Sequence, residues 1–336
     1  MKADINKLRI PWYRSPVDRQ TLDRLNQRSD RLGLLQTLGY LGLLVLTAAA
    51  AFYAAAHWAW PVLLLVLYVH GTFYAFVLNG FHELVHKTVF KSKALNTLFL
   101  YVFSFLGWLD PIFFWASHQE HHKYTLHPPA DLEVVLPVKL TLVDFLKLAV
   151  MSPWLFAKRM KEVVRLSAGR LEGQWENYLF PASDPGKRRR LFTWSRILLA
   201  SHLLLTVVSL YFGVWLLPVL ITLAVFYGNG LQWSCNNTQH IGLQDNVADF
   251  RLCTRTILLN PFLRFLYWHM NYHIEHHMYA AAPCYNLGKL HAAIQRDLPP
   301  SPTGVVAAWR EIIPILQRQK IDPTYQYVVK LPPAGA

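Results

Sequence analysis

The sequence predicts an all-α integral membrane protein: four transmembrane helices in two hairpins, a re-entrant or interfacial segment, and a cytosolic helical cap that carries a metal site. Three observations predict it. The 336 residues are 53% hydrophobic and only 16% charged, where a soluble domain carries roughly 25% charge. Long apolar runs come in two pairs. Nine of the 15 histidines fall into short groups beside those runs. Three cysteines, Cys235, Cys253 and Cys284, are too few and too scattered for a disulfide scaffold.

Residues 1–32 are polar and Arg-rich, without the short apolar core that opens a signal peptide. They are read as a cytosolic N-terminal segment. Gly33–Ala56 follows without a charge; at 1.5 Å per residue its 24 residues reach about 36 Å, enough for a hydrocarbon core of about 30 Å. His57 and Trp58 make a short break, and a second run covers 58–80. The later pair is 194–212 and 214–234, parted near Gly213; Arg196 can snorkel to the interface. Runs of this length argue against buried helices of a soluble protein. The turns inside both hairpins carry almost no charge, whereas the N-terminus, Lys158-Arg159, Lys187 to Arg190 and the C-terminal region carry Lys and Arg. The positive-inside rule places both termini and the long middle segment in the cytosol. That basic face also accounts for the net charge of +13 without nucleic acid, which would leave the spans unexplained.

The histidine groups are His82-Glu-Leu-Val-His86, His118-Gln-Glu-His121-His122, His240 four residues after Asn236, and His273-Ile-Glu-His276-His277. Separations of three and four put side chains on one helix face. Two imidazoles at i and i+4 can grip one metal ion; three at i, i+3 and i+4 can reach two. The alternative for each group alone is a polar helix face or a pH sensor, but recurrence of the spacing favours metal. Each group lies at the cytosolic edge of a membrane segment, so all can converge in one layer. The run Leu95–Ser117, interrupted by Asp110-Pro111, separates the first two groups. A single crossing would put them on opposite faces, so residues 95–117 are expected to enter and return, or to lie along the interface.

Imidazole suits Zn, Cu, Fe and Ni. Nine are too many for one ion, and two ions with four or five each account for the number. Neutral nitrogen ligands with open positions suit iron that binds dioxygen. Glu83, Glu120 and Glu275 lie inside the groups and either orient imidazoles or sit on a solvated face.

These residues resemble the membrane fatty acid desaturase and hydroxylase superfamily, whose signature is three histidine boxes near the cytosolic ends of paired spans. The match covers roughly His82 to His291. The resemblance implies a di-iron centre held by His82, His86, His118, His121, His122, His240, His273, His276 and His277. It also implies that Asn236 reaches iron through water, since Asn236 and His240 fit the Asn-x-x-x-His of the acyl-CoA desaturase branch. Tyr124-Thr125 and Asp131-x-Glu133 look like the family's acidic segment, and Pro283 through Leu290-His291 like its tail. Two departures are His127, where Asn often follows Thr, and a first box with three intervening residues instead of the four common in acyl-CoA desaturases; that box also resembles the alkane hydroxylases.

The implied reaction is dioxygen activation and attack on an unactivated C–H bond of a lipid or acyl substrate. Two hydrogen abstractions give a double bond, the preferred reading; one abstraction with oxygen rebound gives an alcohol, as in a hydroxylase or monooxygenase. A His-rich transporter is a remote alternative, because its polar groups would lie at mid-membrane. No electron-transfer motif is visible in the sequence, so electrons are expected from a separate ferredoxin or cytochrome donor. Lys187 to Arg190 are read as a donor dock or, preferably, as a topology signal. Trp108, Phe113, Phe114, Trp115, Tyr267 and Trp268 are read as tunnel lining or, preferably, interfacial belt. His57, His70, His202, His269 and His291 are assigned to structure, and Cys235 to packing. Residues 295–336 are read as a cytosolic cap, with an amphipathic stretch near Val305–Gln317 interrupted by Pro314.

Overall fold

A computed structural model describes residues 8–138 and 140–333; the first seven residues of the expected N-terminal segment lie outside the described residues. The described residues are helical, with isolated bridges and no strand. The helices are α1 (Arg19–Leu25), α2 (Asp30–His57), α3 (Trp60–Tyr74), α4 (Val77–Val85), α5 (Lys93–Gly107), α6 (Pro111–Tyr124), α7 (Leu142–Val150), α8 (Pro153–Ser167), α9 (Gly173–Leu179), α10 (Pro185–Tyr211), α11 (Leu216–Leu220), α12 (Gly230–Asn236), α13 (Phe250–Cys253), α14 (Pro261–Leu266), α15 (His273–Met278), α16 (Cys284–Ile294) and α17 (Val305–Ile321).

Three stretches are long and apolar enough to cross a membrane: Asp30–His57, Trp60–Val85 and Pro185–Tyr211. Their outer faces expose Leu35, Leu46, Leu65 and Leu204, as lipid contact requires. Exposed Tyr53, Trp58 and Trp60 flank the first hairpin turn, and Tyr211, Phe212 and Trp215 the second; these are the aromatic belt. The second span outruns its predicted end at residue 80. After a break at Ala75–Phe76 the chain turns helical again through Val85, so the first histidine group rides on the span itself. Tyr40 Oη covers that break by donating to the Phe73 carbonyl at 2.8 Å.

The expected fourth helix, 214–234, is instead three pieces: α11, a 3-10 turn at Ala224–Phe226, and α12. Pro218 and Gly228 explain the breakage. Pro218 removes a donor, and Gly228 takes a left-handed φ of 71°. A side chain at Gly228 would meet Thr72 N at 2.6 Å, and one at Gly71 would meet the Tyr227 ring at 2.3 Å, so the unwound segment lies against the α3 backbone. Its freed carbonyls are capped by ring donors: His70 Nε2 on Leu220 at 2.9 Å, Tyr74 Oη on Ile221 at 3.0 Å, and Trp108 Nε1 on Thr222 at 2.8 Å. His202 adds a 3.1 Å contact to the Thr222 hydroxyl and stacks on Trp108 at 3.7 Å. Irregular backbone at membrane depth survives where protein satisfies it in this way.

The run between the first two histidine groups bends. α5 and α6 meet at 99° across a break at Trp108–Asp110. Trp108 takes a left-handed φ of 54°, and Asp110 caps α6 by accepting from Ile112 N and Phe113 N. A layer of short helices packs under the spans, tied to the N-terminal segment by Trp12 stacked on Phe250 at 4.0 Å and by Tyr279 Oη on the Ser15 carbonyl at 2.6 Å. α17 runs on through Pro314 instead of stopping there. Its buried Ala308, Ile312 and Ile315 and the Trp309 bond to the Ser234 carbonyl at 2.9 Å hold it across the missing donor.

Replacing His70 by Phe strands the Leu220 carbonyl in an apolar surround, a loss of about 1–3 kcal/mol. Thermal unfolding in detergent is expected to shift down; an unchanged Tm would contradict the capping role. Thiol labelling of single cysteines placed at Ser92 and Lys123 is expected to report the same membrane side, because α5 and α6 return the chain. Opposite sides would mean that the pair crosses once.

Candidate metal centre

Four distant stretches deliver the imidazoles. His82 sits on α4 and His86 caps its C-terminus. His118, His121 and His122 occupy the last turns of α6. His240 follows α12 in a turn, and α15 begins at His273 and carries His276 and His277. The structure gathers all nine into two groups, with ligand atoms within 4.8 Å of one another: His82, His86, His118, His122 and His276 in one, and His121, His240, His273 and His277 in the other.

Helical spacing explains the division. In each His-x-x-His-His box the i and i+4 rings point together and the i+3 ring points away. Box two therefore gives His118 and His122 to the first group and His121 to the second. Box three does the reverse, with His276 in the first group and His273 and His277 in the second. The boxes interlock the two groups.

Outer partners fix which nitrogen faces inward. His118 Nδ1 lies 2.7 Å from Glu133 Oε1, His121 Nδ1 2.8 Å from Asp131 Oδ2, His240 Nδ1 2.9 Å from the Cys253 carbonyl, and His82 Nδ1 3.0 Å from Glu83 Oε1. His277 Nδ1 is 3.2 Å from the Thr125 hydroxyl, which also bonds the His121 carbonyl. A proton held at Nδ1 leaves Nε2 as a bare lone pair. The inward nitrogens then crowd: His118 Nε2 is 3.1 Å from His86 Nε2 and 3.0 Å from His122 Nε2, while His273 Nε2 is 2.9 Å from His240 Nε2 and 3.1 Å from His277 Nε2. Lone pairs facing at 3 Å repel unless a cation lies between them. Buried His82 Nε2 and His276 Nε2 have no protein partner at all. This donor set fits two metal ions.

Burial and neighbouring imidazoles favour neutral rings at His240, His273, His276 and His277, as metal ligands must be; at His121 burial is outweighed by the hydrogen bond and charge of Asp131, which raise the ring instead. Burial, aided by His121, lowers His240 to about 3. Burial and flanking rings push His273, His276 and His277 well below the ordinary imidazole range.

The carboxylates divide differently from the sequence expectation. Glu83 is buried, 3.0 Å from His82 and 3.9 Å from His276, and does orient imidazoles. Glu120 turns away to Tyr178 Oη at 2.9 Å. Glu275 is buried but binds His291 and Thr256, anchoring α15 to α16. Asp131 and Glu133, to which no role was assigned from sequence, hold His121 and His118 from a loop ten and fifteen residues downstream. Acidic residues shortly after the box were the available signal. Asn236 is exposed; its Oδ1 lies 3.3 Å from Asn79 Nδ2 and 3.5 Å from Tyr267 Oη.

The aromatics near the boxes are not belt residues. Tyr267 and Trp268 are fully buried, and Trp108 is buried. Phe114 stacks on His118 at 4.9 Å, Trp115 meets His86 edge-on at 5.6 Å, and Phe113 packs on Phe180. Phe114 and Trp115 therefore wall the first imidazole group. Cys235 is buried and belongs to neither group.

The family model for fatty acid desaturases matches residues 58–309, about three quarters of the chain, and the chain belongs to that family. No curated protein matches it significantly.

Asp131→Asn and Glu133→Gln replace the acceptors that hold two imidazoles in their inward tautomer. Each is expected to weaken metal binding about 10–100-fold, read by competition against a chelator. Unchanged affinity in both variants would contradict the outer-partner assignment.

Proposed function

We propose that this member of the fatty acid desaturase family is a dioxygen-dependent di-iron oxidoreductase that introduces a double bond into a fatty acyl or lipid chain. The observation that carries this reading is the pair of buried imidazole groups with inward Nε2 atoms. In it, His82, His86, His118, His122 and His276 hold one iron and His121, His240, His273 and His277 the other. Asn236 acts through a water. Iron supplies the dioxygen chemistry when bound. The balance is one dioxygen, two electrons and two protons, with two hydrogens leaving the substrate chain, to give one double bond and two waters. The electrons come from a separate ferredoxin or cytochrome.

The residues of this chain supply position and shielding. Phe114 and Trp115 exclude water from the first imidazole group. Glu83, Asp131 and Glu133 keep the rings oriented, so that little reorganisation is needed during reaction. The nine histidines lie near the basic ends of the spans, the side that the positive-inside rule assigns to the cytosol. A hydroxylase with the same centre is the second reading, favoured by the His-Glu-Leu-Val-His form of the first box. It would insert one oxygen into the substrate and release one water.

Expression with lipid profiling separates the two: loss of two hydrogens against gain of one oxygen. His121→Ala or His276→Ala is expected to abolish product and most of the bound iron. Full activity in either variant would overturn the di-iron reading.

A further inference from the structure

A cavity of ≈150 Å³ opens between the 254–256 segment, the 299–302 stretch and α17. Arg255 lines it and is only 7% exposed. Nη1 of its guanidinium is occupied: it donates to the Thr238 carbonyl at 2.6 Å and to the Ile241 carbonyl at 3.3 Å. Nε and Nη2, which share the other edge of the fork, make no hydrogen bond, and Arg255 has no ion pair among the described residues. Burial lowers Arg255 to about 10, and Glu311 acts on it from a distance. The group is therefore charged at neutral pH, and a buried charge is costly unless it is paired. Arg251 lines the cavity too, but Asp249 and Asp297 already pair with it. Half-buried Ser301 and exposed Lys330 add donors to the wall, and exposed Glu311 adds an acceptor.

We propose that this cavity binds inorganic phosphate, in the form of hydrogenphosphate. The open edge of Arg255 offers two parallel donors, the geometry that grips two oxygens of an oxyanion. Ser301 and Lys330 bring further donors, which a tetrahedral ion can use and a planar carboxylate cannot. Glu311 narrows the choice. Its carboxylate repels sulfate, which only accepts, but takes the O–H that hydrogenphosphate keeps at neutral pH. The volume holds such an ion with a few waters and falls below the roughly 300 Å³ of the smallest drug-sized sites. The cavity also backs onto the second imidazole group. Arg255 holds the carbonyls of Thr238 and Ile241 on either side of His240, its backbone N–H donates to the Gln239 carbonyl at 2.9 Å or less, and Thr256 binds Glu275 of the third box. Phosphate on Arg255 thus braces the turn that carries His240.

The test is isothermal titration calorimetry of the purified full chain with sodium phosphate and, separately, with sodium sulfate at neutral pH. One phosphate per chain is expected, bound about tenfold or more tighter than sulfate, the worth of one hydrogen bond to a charged group. Glu311→Gln is expected to bring the two ions level, because an amide can donate to sulfate. Arg255→Gln is expected to abolish binding. That change also frees the Thr238 and Ile241 carbonyls, so Ser301→Ala, outside those bonds, is measured beside it; it is expected to weaken phosphate while melting as wild type does. No phosphate binding in wild type, equal affinity for the two ions, or an unaltered preference in Glu311→Gln would overturn the proposal. So would undiminished binding in Ser301→Ala or in a folded Arg255→Gln, which would place the ion elsewhere, at the metal centre included. Binding is read without turnover, so its failure leaves the di-iron reading standing.

Discussion

The architecture depends on the direction in which nine imidazoles face. Each ring has one nitrogen that can be tethered outward and one that can be offered inward; for His82, His118, His121, His240 and His277 a carboxylate, hydroxyl or carbonyl on the outside decides which. Bare nitrogens then meet at about 3 Å inside a buried layer. Such crowding is unfavourable without cations, and a pair of metal ions between the nitrogens would relieve it. Because boxes two and three each serve both groups, neither group can be assembled without placing part of the other.

The membrane part of the fold is shaped to keep that layer on one level. The second span is prolonged through the first box. The α5–α6 bend returns the chain so that the second box joins the first. The unwound 214–234 segment sets Asn236 and His240 beneath the spans, and its loose carbonyls are closed by His70, Tyr74 and Trp108. His70 and His202, which look like stray members of a histidine-rich sequence, serve the scaffold by satisfying backbone and hydroxyl groups at depth. Departures from regular helix thus fall where a straight helix would carry a histidine group out of the layer.

Much of this was legible in the sequence because its strongest signals are local. Charge-free runs reveal spans, and i, i+3, i+4 spacing reveals that one helix can serve two groups. A bend between α5 and α6 was expected from the need for boxes one and two to share a face, supported by Asp110-Pro111, and the two helices do meet at 99°. What was not legible depends on contacts between distant residues. Hydropathy sees 214–234 as one apolar run, and only the backbone approach of Gly71 and Gly228 reveals why it unwinds. Inside the boxes Glu83 orients an imidazole while Glu120 and Glu275 turn to other partners, and Asp131 and Glu133 act from outside the boxes; proximity in sequence alone therefore did not decide which carboxylates serve the rings. Trp108 and Trp268 are indistinguishable from belt residues until their buried neighbours are known.

The central claim is that the two imidazole groups hold a pair of irons with nitrogen ligands drawn from all four stretches. X-ray absorption combined with iron quantification on the purified full-length protein tests it most directly. The account predicts two irons per chain, with imidazole nitrogens dominating the first coordination sphere. A single metal per chain, a sphere dominated by sulfur or carboxylate oxygen, or an active protein free of iron would contradict it.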